Sequence, residues 1–570
     1  MPSLRHALAL LSAVAWLQPP AVLPLPSRSG PDGPPRPYGV EPPPGAPPGH
    51  TAGSLALAQD HALLDGPFPR GGLVRGVSDG ALLLSEHAEV RGRAVAMIAA
   101  AGARVVRIPV NWRDVVDASP PAGFQASDPA SPAYHFWRID AAVESALGAG
   151  LEPLLVVSHA PAFAEAPNRW PYAYPGSWAP NPAALGAFAA ALARRYDGSF
   201  PDPLAPGGAL GRVRLLQAWN EPNLSRYLEP QWVVEHGRWS AFSPLLYRQL
   251  LDGFYAGVKS VEPTDTVIAA GVAPEGEPAG QGVMSPVPFL RGLLCLESSG
   301  RCQQPPRFDV LAFHPLSVWN PDVLAASALD VSIADMAKVT DVLHQAERLH
   351  TALPAGPKPV WVTELNWESA PQSPHGVPPR LQATWLSRAL HRLWVAGVSL
   401  VDWEFLVDPV GGVALASPTG PTVTFARPAG LYSAGVTDGR SDPALARPKP
   451  FLGGFAFPFD PLRVDRRRVR VWALLARPGQ LVQLQRRTRG GMWRTVASLH
   501  ADRYGVLNAL VPLRGSASLR LLSAALVSAP ESVARGRSLQ PVSPTPRRGP
   551  SRRASRRRRA RGSSRARPVP

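Results

Sequence analysis

The sequence predicts an α/β chain: a closed (β/α)8 barrel, the TIM barrel, followed by a small antiparallel β-domain. Three observations carry this. Eight short apolar runs recur between residues 73 and 405. Segments with helical spacing of apolar residues lie between them. After residue 464 the pattern changes to short strands with glycine turns and no helical period.

The eight runs are LVRGVS (73–78), RVVRIPV (104–110), EPLLVVS (152–158), RVRLLQAW (212–219), TVIAAGV (266–272), FDVLAFH (308–314), PVWVTEL (359–365) and SLVDWEF (399–405). Continuous apolar runs imply strands buried on both faces, and alternation with helices implies parallel pairing. The clearest helical segments are Glu89 to Ala101 and Ala183 to Tyr196, which end at Gly102 and Gly198. Leu245 to Val261 spaces Leu246, Leu250, Phe254 and Val258 four apart, and Leu381 to Val395 puts Leu386, Leu390 and Leu393 on one face. Eight such units favour closure into a barrel. An open doubly wound sheet is the alternative, but no G-x-G-x-x-G follows the first run. The later runs RVRVWALLARPG, QLVQLQRRTRG, GVLNALVPL and SASLRLLSAA read as antiparallel strands.

The expected organisation is a signal peptide over 1–26, a Pro/Gly-rich disordered segment over 27–70, and the barrel over 71–460. A β-sandwich-like domain over 461–526 and a disordered arginine-rich tail over 527–570 complete it. Ala7 to Leu17 is apolar but too short for a stable membrane anchor, which fits a secretory leader and a secreted or extracellular protein. Cys295 and Cys302 are the two cysteines, separated by a Ser-Ser-Gly turn, and are expected to form a local disulfide. No His or Cys pair supplies further ligands, so neither a metal nor another cofactor is expected.

The 570 residues carry a net charge of +17, which suggests a nucleic-acid binder until the charge is located. Eleven arginines with no acidic residue among them lie between Arg547 and Arg567; without these the charge is +6. Basicity therefore reads as a property of the tail, and no specific nucleic-acid partner is expected. Contact of the tail with an anionic or wall polymer is open. The oligomeric state is not legible.

In a barrel of this kind the active site lies at the C-terminal ends of the strands. Those ends carry Arg107, His159, Asn220 with Glu221, His314, Glu364 and Trp403. Glu221 and Glu364, on the fourth and seventh runs, can flank a glycosidic bond. One, protonated, donates to the leaving oxygen, and the other attacks the anomeric carbon; a separation of ~5–5.5 Å means a covalent intermediate and retention. Trp403 could stack under a sugar ring, and Phe163, Trp170, Tyr172, Tyr174 and Trp178 enrich the loop after the third run in aromatics.

WNEPN at the fourth run and VWVTELNW at the seventh resemble the two signatures of glycoside hydrolase clan A. The nearest likeness is to the β-xylosidase/α-iduronidase family and its bacterial relatives, over residues 70 to 460, with RIPVNW, AFHP and RPKPFLGGFAFPF adding to it. The resemblance implies a retaining glycosidase, with Glu221 as acid/base, Glu364 as nucleophile, Asn220 on the sugar 2-hydroxyl and Arg107 bracing the nucleophile. It implies a carbohydrate partner. One departure stands out. Many clan members place an aromatic hydroxyl near the end of the sixth strand, whereas FHPLSVW has Leu316 and no tyrosine. The rival reading is a non-catalytic carbohydrate-binding or wall-associated barrel. The sugar, its linkage and exo or endo action remain open.

Overall fold

The computed structural model describes residues 63–64, 68–297, 304–415, 423–425, 427–524 and 526–534. Eight parallel strands close into a barrel: β1 (Val74–Ser78), β2 (Val105–Asn111), β3 (Glu152–Ser158), β4 (Leu215–Ala218), β5 (Thr266–Val272), β6 (Val310–Phe313), β7 (Val360–Leu365) and β8 (Val398–Glu404). Their order around the barrel follows the chain, and β1 closes it by pairing with both β2 and β8. This is the predicted fold, and each strand matches an expected apolar run, β2 and β8 overrunning theirs by one residue.

Among the described residues the longer helices around the barrel are α1 (Ala88–Ala100), α2 (Trp137–Gly148), α3 (Pro182–Arg195), α4 (Ser243–Val261), α5 (Pro286–Leu293), α6 (Ala337–Arg348), α7 (Pro379–Val395) and α8 (Pro450–Ala456). Prolines at the first turn start α3, α4, α5, α7 and α8, where the missing N–H costs nothing. The sequence therefore uses some of its many prolines as helix starts. α3 and α4 touch backbone to backbone. A Cβ on Gly253 or Gly257 would overlap the carbonyl oxygens of Pro182 or Gly186, so both positions must stay glycine.

The C-terminal part forms two antiparallel sheets. β9 (Phe459–Arg463), β10 (Arg468–Leu474) and β13 (Val506–Pro512) make one. β11 (Leu481–Arg487), β12 (Trp493–His500), β14 (Ala517–Leu522) and β15 (Glu531–Val533) make the other. Phe459, Val469, Val471, Val482, Leu484, Leu507, Leu519 and Leu521 share one core with residues of both sheets.

Two expected boundaries move. β15 lies inside the segment expected to be a disordered tail; it pairs with β14, and Glu531 is buried. A three-residue strand is too short to show alternation in the sequence. Leu63 and Leu64, expected to be disordered, pack against Leu462, and Phe68 stacks on Trp394 at 6.0 Å. Two leucines and a phenylalanine beside a Pro/Gly-rich stretch are drawn in by burial, and Arg470 adds a hydrogen bond to the Leu64 carbonyl at 2.6 Å and a guanidinium over the Phe68 ring. The signal-peptide segment, Cys302 with the expected disulfide, and the arginine run from 547 lie outside the described residues.

The β-domain is fastened to α7 by buried charge. Asp460 accepts from Arg388 Nε at 2.8 Å and from His391 Nδ1 at 2.7 Å, and His391 stacks on Trp472 at 4.7 Å. Arg388 and Arg392 also hold Asp322, in the β6–α6 loop, at 3.0 and 2.5 Å. Thr384 Oγ1 donates to Glu531 at 2.7 Å. Burial raises Asp460, but Arg388 and the His391 hydrogen bond outweigh it and hold the carboxyl at about 2. Burial pushes Glu531 up to about 7; the Thr384 hydrogen bond opposes this, and the Asp460 charge adds to it.

The two carboxyls give the interface opposite pH responses. Asp460 is depressed, so its contribution is present above the unfolded value of ~3.9 and is lost as pH falls towards its folded value. Glu531 is raised, so its ionisation penalty is absent below ~4.3 and is fully developed once pH passes its folded value. Glu531→Gln is therefore expected to raise Tm at pH 8 and to change it little at pH 4.5. Asp460→Asn should destabilise at neutral pH by roughly 3 kcal/mol, because Arg388 loses a buried partner. Thermal melts of both variants across pH 4 to 8 check this; a Glu531→Gln effect equal at every pH would refute the assignment.

Candidate active site

The segment QAWNEPN turns out of β4 through a constrained backbone. Trp219 and Glu221 adopt left-handed conformations, with φ of 72° and 38°. Such geometry persists only where the surroundings over-determine it. Gln217 Nε2 donates to the Ala270 and Trp219 carbonyls at 3.0 and 3.2 Å. Trp219 is fully buried and donates from Nε1 to the Tyr227 carbonyl at 2.8 Å. The Glu221 N–H donates to the Gly271 carbonyl at 3.1 Å. Asn223 clamps the next connection: its Nδ2 donates to Ala273 and Met284 carbonyls at 3.1 and 2.9 Å, and its Oδ1 accepts from Ala273 N–H at 2.9 Å. Gln217, Trp219 and Asn223 thus hold the turn, and the side chains of Asn220 and Glu221 are left for the barrel mouth.

Glu221 and Glu364 converge there. A carboxylate oxygen of each and a ring nitrogen of His314 all lie within 4.8 Å of one another. Arg107 Nη2 reaches Glu364 Oε1 at 2.9 Å and donates to Asn220 Oδ1 at 2.7 Å, joining β2, β4 and β7. His314 Nδ1 lies 3.1 Å from Glu221 Oε1 and 3.5 Å from Glu364 Oε2, while its Nε2 meets Thr363 Oγ1 at 2.9 Å. Gly271, at φ 85°, makes room for that imidazole: a Cβ there would lie 2.8 Å from His314 Nε2. The Glu221, His314 and Glu364 cluster is close enough to reach a metal ion. Arg107 already sets a fixed positive charge against Glu364, which disfavours a divalent cation in the same place.

A cavity of about 300 Å³ opens beside these groups. Arg107, His159, Asn220, Tyr227, Glu364 and Glu404 are among its polar lining. His159 has φ 55° and packs its ring 5.1 Å from that of Tyr227. Burial, with the nearby Arg226 and Arg113 charges, lowers His159 to about 4, so it faces the cavity as a neutral imidazole. Asp79, at the end of β1, accepts from the N–H groups of Leu82, Leu406 and Val407, each at 3.2 Å, and so ties β1 to the chain beyond β8.

The expected site residues divide into three groups. Arg107, His159, Asn220 and Glu364 line the cavity, and Glu221 stands beside Glu364. His314 is at the site but has no exposed surface, so it positions the two carboxylates and does not contact a substrate as expected. Trp403 is a correction. It is 0% exposed, donates to the Ala429 carbonyl at 3.0 Å and packs on Phe451 at 5.0 Å, which leaves no face for a sugar. Strand alternation turns its neighbour Glu404 to the cavity instead. None of the five aromatics of the β3–α3 loop lines this cavity; Phe163, for one, packs edge-on to Trp112.

Glu404 and Tyr227 add to the lining. Glu404 accepts from Asn366 Nδ2 at 2.5 Å and pairs with Arg427 at 3.3 Å. Burial raises its carboxyl, Arg427 opposes, and the Glu364 charge raises it further. Tyr227 supplies an aromatic hydroxyl from the β4–α4 loop, the group that was missing at the end of β6. Arg226 Nη2 donates to that hydroxyl at 3.1 Å. Burial raises the phenol, the Arg226 charge opposes, and both Glu221 and Glu364 add to the rise. The missing tyrosine was itself the signal: a search of the other mouth loops would have met Tyr227 six residues after Glu221.

No family model matches the sequence, and no curated protein matches it. Among solved structures the chain is similar to a family 39 glycoside hydrolase from the gut symbiont Bacteroides cellulosilyticus WH2, at 19% identity and TM-score 0.44, with 78% of this chain and 79% of that one covered. It is also similar to a GH39 β-xylosidase from Caulobacter crescentus, at 15% identity and TM-score 0.40, covering 81% and 95%. A GH30 endoxylanase from Clostridium papyrosolvens C71 aligns at 11% identity and TM-score 0.40, covering 78% and 95%.

Proposed function

We propose that the chain is a retaining glycosidase of the clan A type that hydrolyses O-glycosidic bonds through a covalent glycosyl-enzyme. The observation that carries this is the Glu221–Glu364 pair at the ends of β4 and β7, with carboxylate oxygens within 4.8 Å and Arg107 bonded to one of them. Carboxyls ~5–5.5 Å apart suit direct attack, whereas inversion needs ~6.5–9.5 Å to admit a water.

The roles follow from the partners. Glu364 has the guanidinium of Arg107 at 2.9 Å to stabilise its charge, which suits the nucleophile. Glu221 has His314 instead, which suits the group that gives and takes the proton. In the first step Glu364 attacks the anomeric carbon while Glu221 protonates the leaving oxygen. In the second, Glu221 takes a proton from water, which attacks the same carbon and releases Glu364. Asn220 is assigned to the 2-hydroxyl: its Oδ1 is held by Arg107 and its side chain also hydrogen-bonds Tyr227, which leaves one amide N–H to donate. Neutral His159, Tyr227 and Glu404 offer further hydrogen bonds to the sugar. A cavity of about 300 Å³ is at the small end for ligands, which supports action on a terminal sugar. The leader-like segment Ala7 to Leu17 supports export.

Purified protein should hydrolyse an aryl glycoside with retention, read by NMR of the first-formed anomer. Glu364→Ala should lower kcat by roughly 10⁴-fold or more, with no retained product on adding azide. Glu221→Ala should accumulate the glycosyl-enzyme with an activated leaving group, and azide should release it as the retained glycosyl azide. Near-normal rates in both variants would overturn the assignment of roles, and no hydrolysis by the parent across a panel of sugars would leave the non-catalytic reading in place.

Tyr227→Phe removes one hydroxyl beside both carboxylates and is expected to lower kcat by roughly tenfold with an unchanged Tm. His159→Asn should raise KM and leave the pH profile unmoved between pH 5 and 8, because His159, at about 4, does not titrate there. A limb that shifts in His159→Asn would contradict the neutral assignment.

A further inference from the structure

The positive charge is not confined to the tail, contrary to what the sequence alone suggested. Residues 461–534 hold 13 arginines, no lysine and three acidic residues. Residues 1–460 carry a net charge of −6. The β-domain is thus strongly basic while the rest of the folded chain is acidic.

The arginines converge at one end of the domain. The β9–β10 turn, Val464 to Arg468, and the chain after β13, Pro512 to Arg514, line a cavity of about 960 Å³. Arg466, Arg467 and Arg514 are exposed there. The one acid in the lining, Asp465, is occupied by Arg468 Nε at 2.7 Å and by the N–H groups of Arg467 and Arg468 at 2.7 and 2.8 Å. The walls are fixed: the Leu513 N–H donates to the Arg467 carbonyl at 2.7 Å, and Arg463 donates to the Leu513 and Gly515 carbonyls from behind. Arg486 adds a further donor to Ser516 O at 3.0 Å. Like charges are held together here, and burial and the Arg486 charge both lower Arg463.

We propose that this cavity is a binding site for an anionic polysaccharide, one bearing carboxylate or sulfate groups. Guanidinium forks grip such groups in pairs, and three exposed ones on a rigid frame offer several at once. The rest of the lining chooses among polyanions. Its apolar members are Val464, Pro512 and Leu513, with no aromatic side chain. Neutral sugars stack on aromatic faces, and so do the bases of single strands. An aliphatic floor with a cationic rim fits a charged sugar chain better than either. The choice of sugar over nucleic acid rests on the glycosidase reading of the barrel.

The test uses the full chain with the eleven arginines from Arg547 to Arg567 replaced by serine, so that the tail adds no background. Binding of labelled oligogalacturonate and of heparin, neutral xylan and duplex DNA of similar length is measured by fluorescence polarisation at several salt concentrations. Binding to one of the anionic glycans, ahead of xylan and DNA, is expected. The triple variant Arg466→Ser, Arg467→Ser, Arg514→Ser should weaken it by about tenfold or more, with a shallower salt dependence. Its Tm and aryl glycoside hydrolysis should match the parent, which separates lost binding from lost folding. Unchanged affinity in the triple variant overturns the site, and DNA binding as tight as glycan binding overturns the choice of ligand. An inactive parent would sink the glycosidase reading and still leave the binding comparison readable.

Discussion

The guanidinium of Arg107 is the fixed cation at the barrel mouth that ties together the chemistry of three strands. Rooted in β2, it bonds Asn220 after β4 and Glu364 on β7 through the same nitrogen, at 2.7 and 2.9 Å. Two carboxylates within 4.8 Å of each other repel, and burial removes the water that would screen them. A fixed cation on one side of the pair makes the arrangement tenable and makes it asymmetric. In the proposed mechanism that asymmetry distinguishes a nucleophile from an acid in two residues of the same type. His314 completes the frame from β6 without carrying a surface of its own.

The same logic explains the strained exit of β4. Left-handed Trp219 and Glu221 would relax if they were free to do so. Trp219 is locked by burial and by the Tyr227 carbonyl, and Asn223 ties the loop to β5 and to the connection before α5. Tyr227 is therefore fixed by the motif that also presents Glu221. One loop delivers Glu221, the neighbouring Asn220 amide and the Tyr227 phenol, so their mutual geometry depends on local bonds more than on barrel closure.

What the residues revealed and what they hid follow from range. The eight strands were legible because a buried parallel strand is a continuous apolar run, and Glu221 and Glu364 because polar groups at the ends of such runs have no packing reason to be there. α2, α5, α6 and α8 were not singled out; α5 and α8 are short, and the buried faces of α2 and α6, with Ile139, Ala142, Val143 and Ala146 and with Val339, Val342, Leu343 and Ala346, follow the helical period but were overlooked. Trp403 was misplaced for a different reason. A tryptophan beside a glutamate at a strand end leaves the facing residue undecided, and only the contacts to Ala429 and Phe451 put the indole in the core. Tyr227 was overlooked because a loop position has no period to interpret, and only the tyrosine missing after β6 hinted at it. The interface between α7 and the β-domain was invisible, for Arg388 and Asp460 are 72 residues apart.

Charge placement gives that interface a second meaning. A basic module and an acidic barrel would attract without any specific contact, yet the structure joins them by a small buried network of Asp460, Arg388, His391 and Asp322. Long-range attraction is screened over ~10 Å at moderate salt, whereas a buried pair is screened far less. The relative placement of the two parts should therefore survive salt that weakens any polyanion held at Arg466, Arg467 and Arg514. The network also reaches the mouth side of the barrel, because Asp322 belongs to the β6–α6 loop, and the Trp319 carbonyl in that loop accepts from Trp367, three residues beyond Glu364. The β-domain is thus mechanically continuous with the strand end that carries the proposed nucleophile. Loosening Asp460 would be felt first in stability and only then, through that loop, at the site.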